Sequence, residues 1–333
     1  MVDVLLVSLG TTGGLRTSDW ELERSLRSAG ASVAAVAVPQ PSLPKDRPLL
    51  PALPRADFRW ARAARRVTRL EVASRKPQAV IYSTVTAALF APVVGAVRFD
   101  STTSFNRPGP TGIWERPFER RRLRQAPLLV PYSAAALRDS PCPDAPAVVV
   151  PIPVDESGPV DGERDVAAVT YGYPAWKKGL DRVLAAWHEA RRPGENLLVA
   201  GTEETIDEPG VEVVGRLPRD QFRSLLRRTR VFIAAPRRED YGIVQLEALT
   251  DGCVLATTPS HGPYVARDIA RRIDPRLVGD DLGSAIRVAL DEPRPDYLER
   301  ARAELAPFRR SAVDEVVAKE LLPRLLSEAR RGD

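Results

Sequence analysis

The chain has 333 residues, which is too many for one ordinary hydrophobic core and predicts two domains of about 150 residues each. Apolar residues make up 44% and charged residues 28%, a composition typical of a globular protein and not of a disordered or fibrous one. Nearly all of the positive charge is arginine, and the net charge of +5 suits an anionic ligand or an anionic surface without distinguishing them.

The cysteine count and the hydropathy pattern restrict the compartment. Two cysteines, Cys142 and Cys253, cannot form a disulfide scaffold, so we expect a cytoplasmic protein. The first apolar run contains Asp3 and lacks a basic segment before it, so we expect no signal peptide. No window approaches about 18 uninterrupted apolar residues, so no membrane-spanning helix is predicted.

The first half of the chain alternates strands with helices. A strand over 2–8, a glycine-rich loop over 9–14, a helix over 18–29 and a strand over 33–38 predict a right-handed βαβ unit at the start of an open sheet. The first helix has Trp20, Leu22 and Leu26 on its apolar stripe. A proline-rich loop follows over 39–54, and the remaining elements are predicted at 57–76, 79–82, 84–90, 96–100, 114–124, 128–132 and 147–150.

The second half repeats this alternation after an acidic stretch over 156–163 that is rich in glycine and proline, which we interpret as a linker. Strands are predicted at 166–171, 197–200, 211–214, 231–235 and 254–257, and helices at 180–190, 219–228, 244–250 and 282–290. A last helix is predicted over 312–329, with Ser311 as its N-cap. Ligands of such sheets bind beyond the carboxyl ends of the strands.

One segment has the residues of a phosphate-facing site. After the buried strand at 231–235 the chain places Glu239, then Gly242, then a helix whose first N–H groups are free to bind an anion. Gly242 lets the backbone approach a ligand without a side chain in the way. Glu247 lies eight residues after Glu239, about two helical turns further on.

This segment resembles the Glu-x7-Glu motif of retaining GT-B glycosyltransferases of the family 4 type. The resemblance implies that Glu239 contacts hydroxyls of the donor sugar and that Glu247 binds the ribose hydroxyls. It also implies that backbone amides around Tyr241, Gly242, Ile243 and Val244 hold the sugar and the diphosphate, and it assigns no obligatory metal and no further cofactor.

A second match lies upstream, where Gly172, Lys178 and Gly179 resemble the same family's glycine loop and Lys-Gly-Leu-Asp sequence. Lys178 falls at the position of the diphosphate-binding lysine, a cation that offsets the charge growing on the leaving group. The family has an arginine after the loop glycine, whereas this chain has Tyr173, so Arg237 or Arg238 is a candidate for the missing cation. Arg216 and Leu217 resemble the segment that lines the nucleobase.

The acceptor side has weaker signals. Gly13 and Gly14 form either a plain turn or a site where the backbone comes close to a ligand, and Asp100 is either an acceptor-side group or a turn residue. The basic helix predicted at 57–76 is either an ordinary surface helix or an interfacial helix on anionic lipid. The arginines at 120–124 lack interleaved aromatic residues, so no nucleic acid is expected as a partner. Two histidines without a cysteine cluster argue against a metal site.

The sequence therefore predicts an α/β protein with two Rossmann-like doubly wound domains in the GT-B arrangement around an interdomain cleft. We expect an acceptor-binding domain over 1–155, a nucleotide-sugar domain over 156–310 and a helix over 311–333 that packs back on the first domain. The predicted reaction is metal-independent transfer of a sugar from a UDP-, GDP-, ADP- or dTDP-sugar, with retention, to the hydroxyl of an acceptor sugar, a lipid-linked sugar or a small metabolite. Its predicted place is the cytoplasm, including the inner face of the membrane.

Two alternatives stay open. One is a catalytically silent GT-B protein that binds a nucleotide or a carbohydrate, which Tyr173 in place of arginine favours. The other is a different GT-B sugar enzyme, an epimerase or a phosphorylase. A phosphorylase needs a lysine placed for pyridoxal phosphate, and none of the five lysines is recognisable as one.

Overall fold

A computed structural model describes residues 2–41, 55–160 and 162–331. The chain divides into a first domain, formed by Met1–Pro153 with Arg310–Asp333, and a second domain, Val154–Arg309. The predicted boundaries at 155/156 and 310/311 lie within two residues of this division. Most of the loop predicted over 39–54 lies outside the described residues.

The first domain is built on a parallel sheet of five strands in the order β2-β1-β3-β4-β5. Short apolar runs form these strands because helices cover both faces of the sheet. The strands are β1 (Val4–Ser8), β2 (Val33–Ala37), β3 (Ala79–Tyr82), β4 (Ala96–Phe99) and β5 (Leu129–Pro131). The helices are α1 (Gly13–Ser28), α2 (Arg55–Arg75), α3 (Val85–Ala88), α4 (Thr103–Asn106), α5 (Glu115–Gln125) and α6 (Ala134–Arg138).

The second domain has its own parallel five-stranded sheet, in the order β10-β9-β6-β7-β8. Its strands are β6 (Val166–Tyr171), β7 (Leu197–Ala200), β8 (Val211–Gly215), β9 (Thr229–Ala234) and β10 (Val254–Thr257). Its helices are α7 (Ala175–Lys178), α8 (Leu180–Ala190), α9 (Arg219–Arg228), α10 (Ile243–Thr250), α11 (Val265–Ile273), α12 (Leu282–Asp291) and α13 (Tyr297–Leu305). Two such doubly wound sheets confirm the predicted fold class.

The C-terminal segment belongs to the first domain. It consists of α14 (Arg310–Val316), a π-helical turn (Val317–Leu321) and α15 (Leu322–Arg331). Val313, Val317, Leu321 and Leu325 are buried against strands and α1 of that domain. The helix begins at Arg310, so the prediction of Ser311 as its N-cap was wrong.

Several local predictions for the first domain were wrong. The Thr12 hydroxyl accepts a hydrogen bond from the Leu15 N–H at 3.2 Å and caps α1, so the helix begins at Gly13 and not at residue 18. Trp20 is 53% exposed, because the buried face of α1 is formed by Ser18, Asp19, Leu22 and Leu26. Residues 147–150 form no strand: Ala147 makes an isolated bridge to Leu129, and the chain then runs extended beside β5.

The sequence pattern also missed α11 and α13. Helix α11 follows the sequence Ser-His-Gly-Pro at 260–263, and α13 follows prolines at 293 and 295, so breakers concealed both helix starts. Ala266, Ile269, Ala270 and Ile273 form the buried face of α11.

Candidate donor site and acceptor-side residues

The two motifs of the second domain meet because of its strand order. Strands β6 and β9 are neighbours, although three helices (α7, α8 and α9) and two strands separate them in the sequence, and the strand order reverses between them. A crevice outside the carboxyl ends of the strands forms at such a switch point. The segment after β6 carries Lys177 and Lys178 at the end of the short helix α7, and the loop after β9 carries residues 237–242. The Arg237 N–H donates to the Lys177 carbonyl at 3.0 Å and joins the two loops.

Lys178 and Glu239 form an ion pair at this point. The Lys178 Nζ lies 2.6 Å from Glu239 Oε2, and the same oxygen accepts a hydrogen bond from Gln245 Nε2 at 3.2 Å. The side chain of Glu239 is 7% exposed and that of Lys178 is 16% exposed. The two residues to which the resemblance assigns the donor sugar and the diphosphate, 61 positions apart, are thus in direct contact.

Glycines hold the two loops at this distance. Gly179 has φ +64°, and a Cβ there would lie 1.9 Å from the Ala235 carbonyl oxygen. Gly262 has φ +105°, and a Cβ there would lie 2.3 Å from the Glu239 carbonyl oxygen. The Glu239 N–H in turn donates to the His261 carbonyl at 3.0 Å, so His261 contacts Glu239 through its backbone.

Helix α10 begins directly beside this pair. Gly242, at φ +88°, is its N-cap, and a Cβ there would lie 2.7 Å from the Tyr264 ring. Ile243 and Val244 are the first two helical residues and are half-buried, and Tyr241 is buried. The N–H groups of a first helical turn have no partner within the helix, so this end of α10 is suited to an anion.

Glu247 lies on the buried part of α10 and is held by arginines of α9. Its Oε1 accepts hydrogen bonds from Arg219 Nη2 at 2.8 Å and Nε at 3.2 Å, and Arg223 Nη1 lies 3.7 Å away. Arg223 itself donates two hydrogen bonds to the buried Asp251, at 2.5 and 2.9 Å. The sequence patterns did not single out these arginines. Their spacing of four residues on a helix that precedes the Glu-x7-Glu motif was the available signal.

The cations proposed to replace the family arginine are engaged elsewhere. Arg237 forms two hydrogen bonds with Asp181 at 2.5 and 2.7 Å, and Arg238 Nη2 lies 2.7 Å from Asp240 Oδ1. Lys177 Nζ also binds Asp240, at 2.9 Å. Burial alone would raise the pKa of Asp240, but the hydrogen bond from Arg238 and the charges of Lys177 and Arg238 outweigh it and lower this pKa to about 2.

Arg216 reaches the position where the arginine is missing. Its guanidinium carbon lies 4.9 Å from the centre of the Tyr173 ring, which is the geometry of a cation–π contact. Within the described residues Arg216 forms no ion pair. Leu217 beside it is half-buried. Gly172 is buried, and its N–H donates to the Ala200 carbonyl at 2.8 Å, so it closes the loop after β6 against β7.

The acceptor-side candidates lie in the first domain. Gly13 and Gly14 form the exposed first turn of α1. A Cβ at either position would meet no atom within 4 Å, so packing within this domain does not require glycine there. Asp100 follows β4, and its Oδ1 accepts a hydrogen bond from the Ser101 N–H at 2.8 Å. Both features lie beyond carboxyl ends of strands.

The same edge of the sheet contains a buried polar network that the sequence reading missed. Arg98 of β4 is 1% exposed; it donates to the Ser18 hydroxyl at 2.5 Å, lies 3.6 Å from Asp19 Oδ1 and stacks 4.2 Å from the centre of the Tyr132 ring. Burial raises the pKa of Asp19, against the opposing charge of Arg98. The signals were an arginine inside an apolar strand and an aspartate on the stripe of Leu22 and Leu26.

Two further properties concern metals and membranes. Among residues 2–41, 55–160 and 162–331, no group of three or more His, Cys, Asp or Glu side chains is placed to hold a metal ion. Over the same ranges, no helix combines the length and apolar character needed to cross a bilayer.

Comparison with known proteins bears on the fold and on the class of protein. Residues 165–291 match the family described as "Glycosyl transferases group 1". No curated protein sequence matches the chain. Of the solved structures, sucrose-phosphate synthase from Thermosynechococcus elongatus is similar over 100% of both chains, with 14% identity and a TM-score of 0.67. WaaG, a glycosyltransferase of lipopolysaccharide biosynthesis, covers 95% of this chain and 100% of its own, with 13% identity and a TM-score of 0.65.

A third similar structure is the UDP-forming α,α-trehalose-phosphate synthase from Burkholderia xenovorans, in complex with glucose-6-phosphate. It covers 98% of this chain and 100% of its own, with 14% identity and a TM-score of 0.65. At such identities the likeness shows the fold, and the family match over the second domain supplies the function class. The chain is therefore a glycosyltransferase of the GT-B fold, and residues 165–291 of its second domain match the glycosyl transferases group 1 family.

Proposed function

We propose that this glycosyltransferase moves a sugar from a nucleoside-diphosphate sugar to an acceptor hydroxyl, with retention of the anomeric configuration and without an obligatory metal. The observation that carries the proposal is the contact of Lys178 with Glu239, 2.6 Å apart, beside the first turn of α10. A cation, a carboxylate and free backbone N–H groups at one point are what a sugar diphosphate requires.

Each group has a separate task in this proposal. Lys178 and the N–H groups of Ile243 and Val244 bind the diphosphate and stabilise the charge that grows on it as the glycosidic bond breaks. Glu239 accepts hydrogen bonds from sugar hydroxyls and is oriented by Lys178 and Gln245. Glu247 accepts hydrogen bonds from the ribose. Leu217 and Gly172 line the nucleoside side of the site.

The chemical step is proposed as a front-face displacement. The bond between the anomeric carbon and the diphosphate oxygen breaks, and the acceptor oxygen bonds to the same face of that carbon. The acceptor proton passes to a phosphate oxygen of the leaving nucleoside diphosphate, so no protein base is needed. The acceptor itself is proposed as a sugar, a lipid-linked sugar or a small metabolite, bound on the Gly13, Gly14 and Asp100 side.

Arg216 is proposed as the second diphosphate cation, in place of the arginine that Tyr173 replaces. Arg237 and Arg238 are neutralised by Asp181 and Asp240, whereas Arg216 lies on the Tyr173 ring. A chain position different from the family's would then deliver the same charge to the same place. If Arg216 does not take this role, the shortage of cations favours the second candidate, a nucleotide-sugar binder without turnover.

The proposed cytoplasmic location rests on the cysteines. Cys142 and Cys253 are both free thiols, as in proteins of a reducing compartment.

A panel of UDP-, GDP-, ADP- and dTDP-sugars, first by thermal shift and then by release of the nucleoside diphosphate, tests the function. A bound donor raises the melting temperature because it binds only the native state. We expect the protein to bind one donor and to hydrolyse it slowly. This hydrolysis should be unchanged by EDTA and should be lost in Glu239→Gln. Glu189→Gln, at an exposed glutamate of α8, is the matched control.

The outcomes separate the candidates. Binding without turnover on any donor supports the silent binder, and full activity in Glu239→Gln refutes the site. NMR of the first product anomer decides between retention and inversion.

A further inference from the structure

Helix α2 of the first domain has a charged surface that the donor site does not use. Its buried side is formed by Ala61, Ala64 and Thr68, each fully covered. Four arginines lie on an exposed side of the helix, three or four residues apart where they face one another: Arg62, Arg65, Arg66 and Arg69. With Leu70, Ala73, Phe58 and Phe90 they line a groove of about 790 Å³, which we call the arginine groove.

The described residues do not neutralise the positive charge of the arginine groove. Within the described part of the chain, none of its four arginines forms an ion pair. The two acids of α2 are engaged with other partners: Asp57 lies 2.8 Å from Arg107, and Glu71 lies 2.5 Å from Arg75. Among the residues that the structure describes, the groove lining contains no carboxylate.

Arginines of the neighbouring helix add to this charge. Arg120, Arg121 and Arg124 of α5 are exposed. Burial, together with the like charges of Arg121 and of Arg65 on α2, lowers the pKa of Arg122 of α5. The surface is therefore poised to gain from an anionic partner, which would relieve this repulsion.

Apolar side chains border the same groove. Phe58 packs edge-to-face on Phe90 at 5.3 Å and on Trp114 at 6.0 Å, and Phe118 packs on Phe90 at 5.7 Å. Although these rings pack on one another, Phe58 is 43% and Phe118 is 44% exposed, and Leu70 is 63% exposed. Phe58 and Leu70 therefore face outward and not into the core, although both are large apolar side chains of α2.

We propose that the arginine groove and its aromatic border dock on an anionic phospholipid surface. Guanidinium groups bind phosphates through paired hydrogen bonds, and exposed Phe and Leu side chains enter the boundary between headgroups and acyl chains. A soluble anion would use the charges but not the exposed rings, and an ordinary solvated helix would use neither. The proposal is independent of the transfer reaction.

Partition to vesicles tests this with the full chain. We expect it to sediment with vesicles of equal parts phosphatidylcholine and phosphatidylglycerol at low salt, and not with pure phosphatidylcholine. Each basic side chain near such a surface contributes about fivefold to the partition coefficient, so the variant with Arg62, Arg65, Arg66 and Arg69 all changed to Gln should lose on the order of several hundredfold. Leu70→Gln, at an exposed site, should lose several-fold while keeping the melting temperature.

The matched control removes four exposed arginines that lie outside the groove and form no ion pair in the described part of the chain: Arg24, Arg138, Arg182 and Arg271, all changed to Gln. It has the same net charge as the groove variant and should keep most of the binding.

Three results overturn the proposal. One is sedimentation of the groove variant like the parent, and another is an equal loss in the control. The third is that an oligonucleotide displaces the parent protein from vesicles and binds it more tightly through the same four arginines. The groove would then be a nucleic-acid surface.

Discussion

Replacing Lys178 by methionine removes the charge that faces the buried Glu239 carboxylate but keeps an apolar stem of similar length. Glu239 then keeps one hydrogen bond, from Gln245 at 3.2 Å. Breaking a buried ion pair from one side costs about 3 to 5 kcal/mol. We expect about 3 kcal/mol of lost stability, the lower end, because the Lys178 side chain is 16% exposed and water can reach the site.

The reverse change is milder. Glu239→Gln leaves the Lys178 ammonium without its partner, but this group can turn toward solvent, so about 1 to 2 kcal/mol should be lost. In the double variant Lys178→Met/Glu239→Gln no buried charge is left unpaired. Its free energy of unfolding should return to within about 1 kcal/mol of the parent, which is a coupling energy of about 3 to 5 kcal/mol.

Function should not follow stability in this cycle. If Lys178 and Glu239 act on the donor, each single variant loses roughly a hundredfold or more in kcat/KM, as when one electrostatic contact to the transition state is removed. The double variant regains stability but lacks both contacts to the donor, so its activity should remain low.

Urea unfolding reports the stability, followed by the fluorescence of tryptophans including Trp187, which is fully buried in the second domain. Lys319→Met is the control, since its pair with Glu315 is 73% and 60% exposed and should contribute nothing measurable. The reasoning is refuted if the double variant is no more stable than Lys178→Met, or if it regains activity together with stability.

Gly179→Ala places an alanine at a strained φ of +64° with its Cβ 1.9 Å from a carbonyl oxygen, so it should lower the free energy of unfolding by about 3 kcal/mol. Gly14→Ala, in the open first turn of α1, should raise this free energy by about 0.5 kcal/mol, and similar urea midpoints for the two variants would contradict the reasoning. Because the pKa of Asp240 falls from 3.8 to about 2 on folding, it contributes about 2 kcal/mol above pH 4 that disappears as pH falls from 4 toward 2, and the acid unfolding of Asp240→Asn should lack that component. By calorimetry, Arg216→Ala should weaken binding of the nucleoside diphosphate about tenfold but not of the nucleoside, and Tyr173→Arg in that background should restore it; no rescue would leave Arg216 outside the phosphate site.

The elements of the second domain followed well from its sequence. Strands of a parallel sheet are buried on both faces and therefore read as short apolar runs, such as those at 166–171 and 197–200. Helices α8 and α9 begin and end where their periodicity predicted. Helix α1 was harder, because its buried face carries Ser18 and Asp19, which a hydropathy pattern assigns to solvent.

The site divides in the same way. The identities of Lys178, Glu239 and Glu247 could be selected from the sequence because the residues around them restrict the local backbone: Gly179 after the lysine and Gly242 between the glutamates are required where φ is positive. The residue that supplies a second cation could not be selected from the sequence. Arg237 and Arg238 are close to the motif in sequence, but their charges are taken up by Asp181 and Asp240, and the partner of a surface arginine depends on which loops the sheet brings together.

The sequence by itself determined the alternation of strands and helices, the two-domain division and the choice of residues for the candidate donor site, because these depend on local periodicity and on glycines with special backbone angles. Only the tertiary structure decided which charges are neutralised and which side chains are covered. It brought β6 beside β9 and so joined Lys178 to Glu239, buried Arg98 against Asp19, and turned Phe58 and Leu70 outward among the arginines of the groove. Each of these depends on contacts between residues far apart in the chain, and no local pattern contains them.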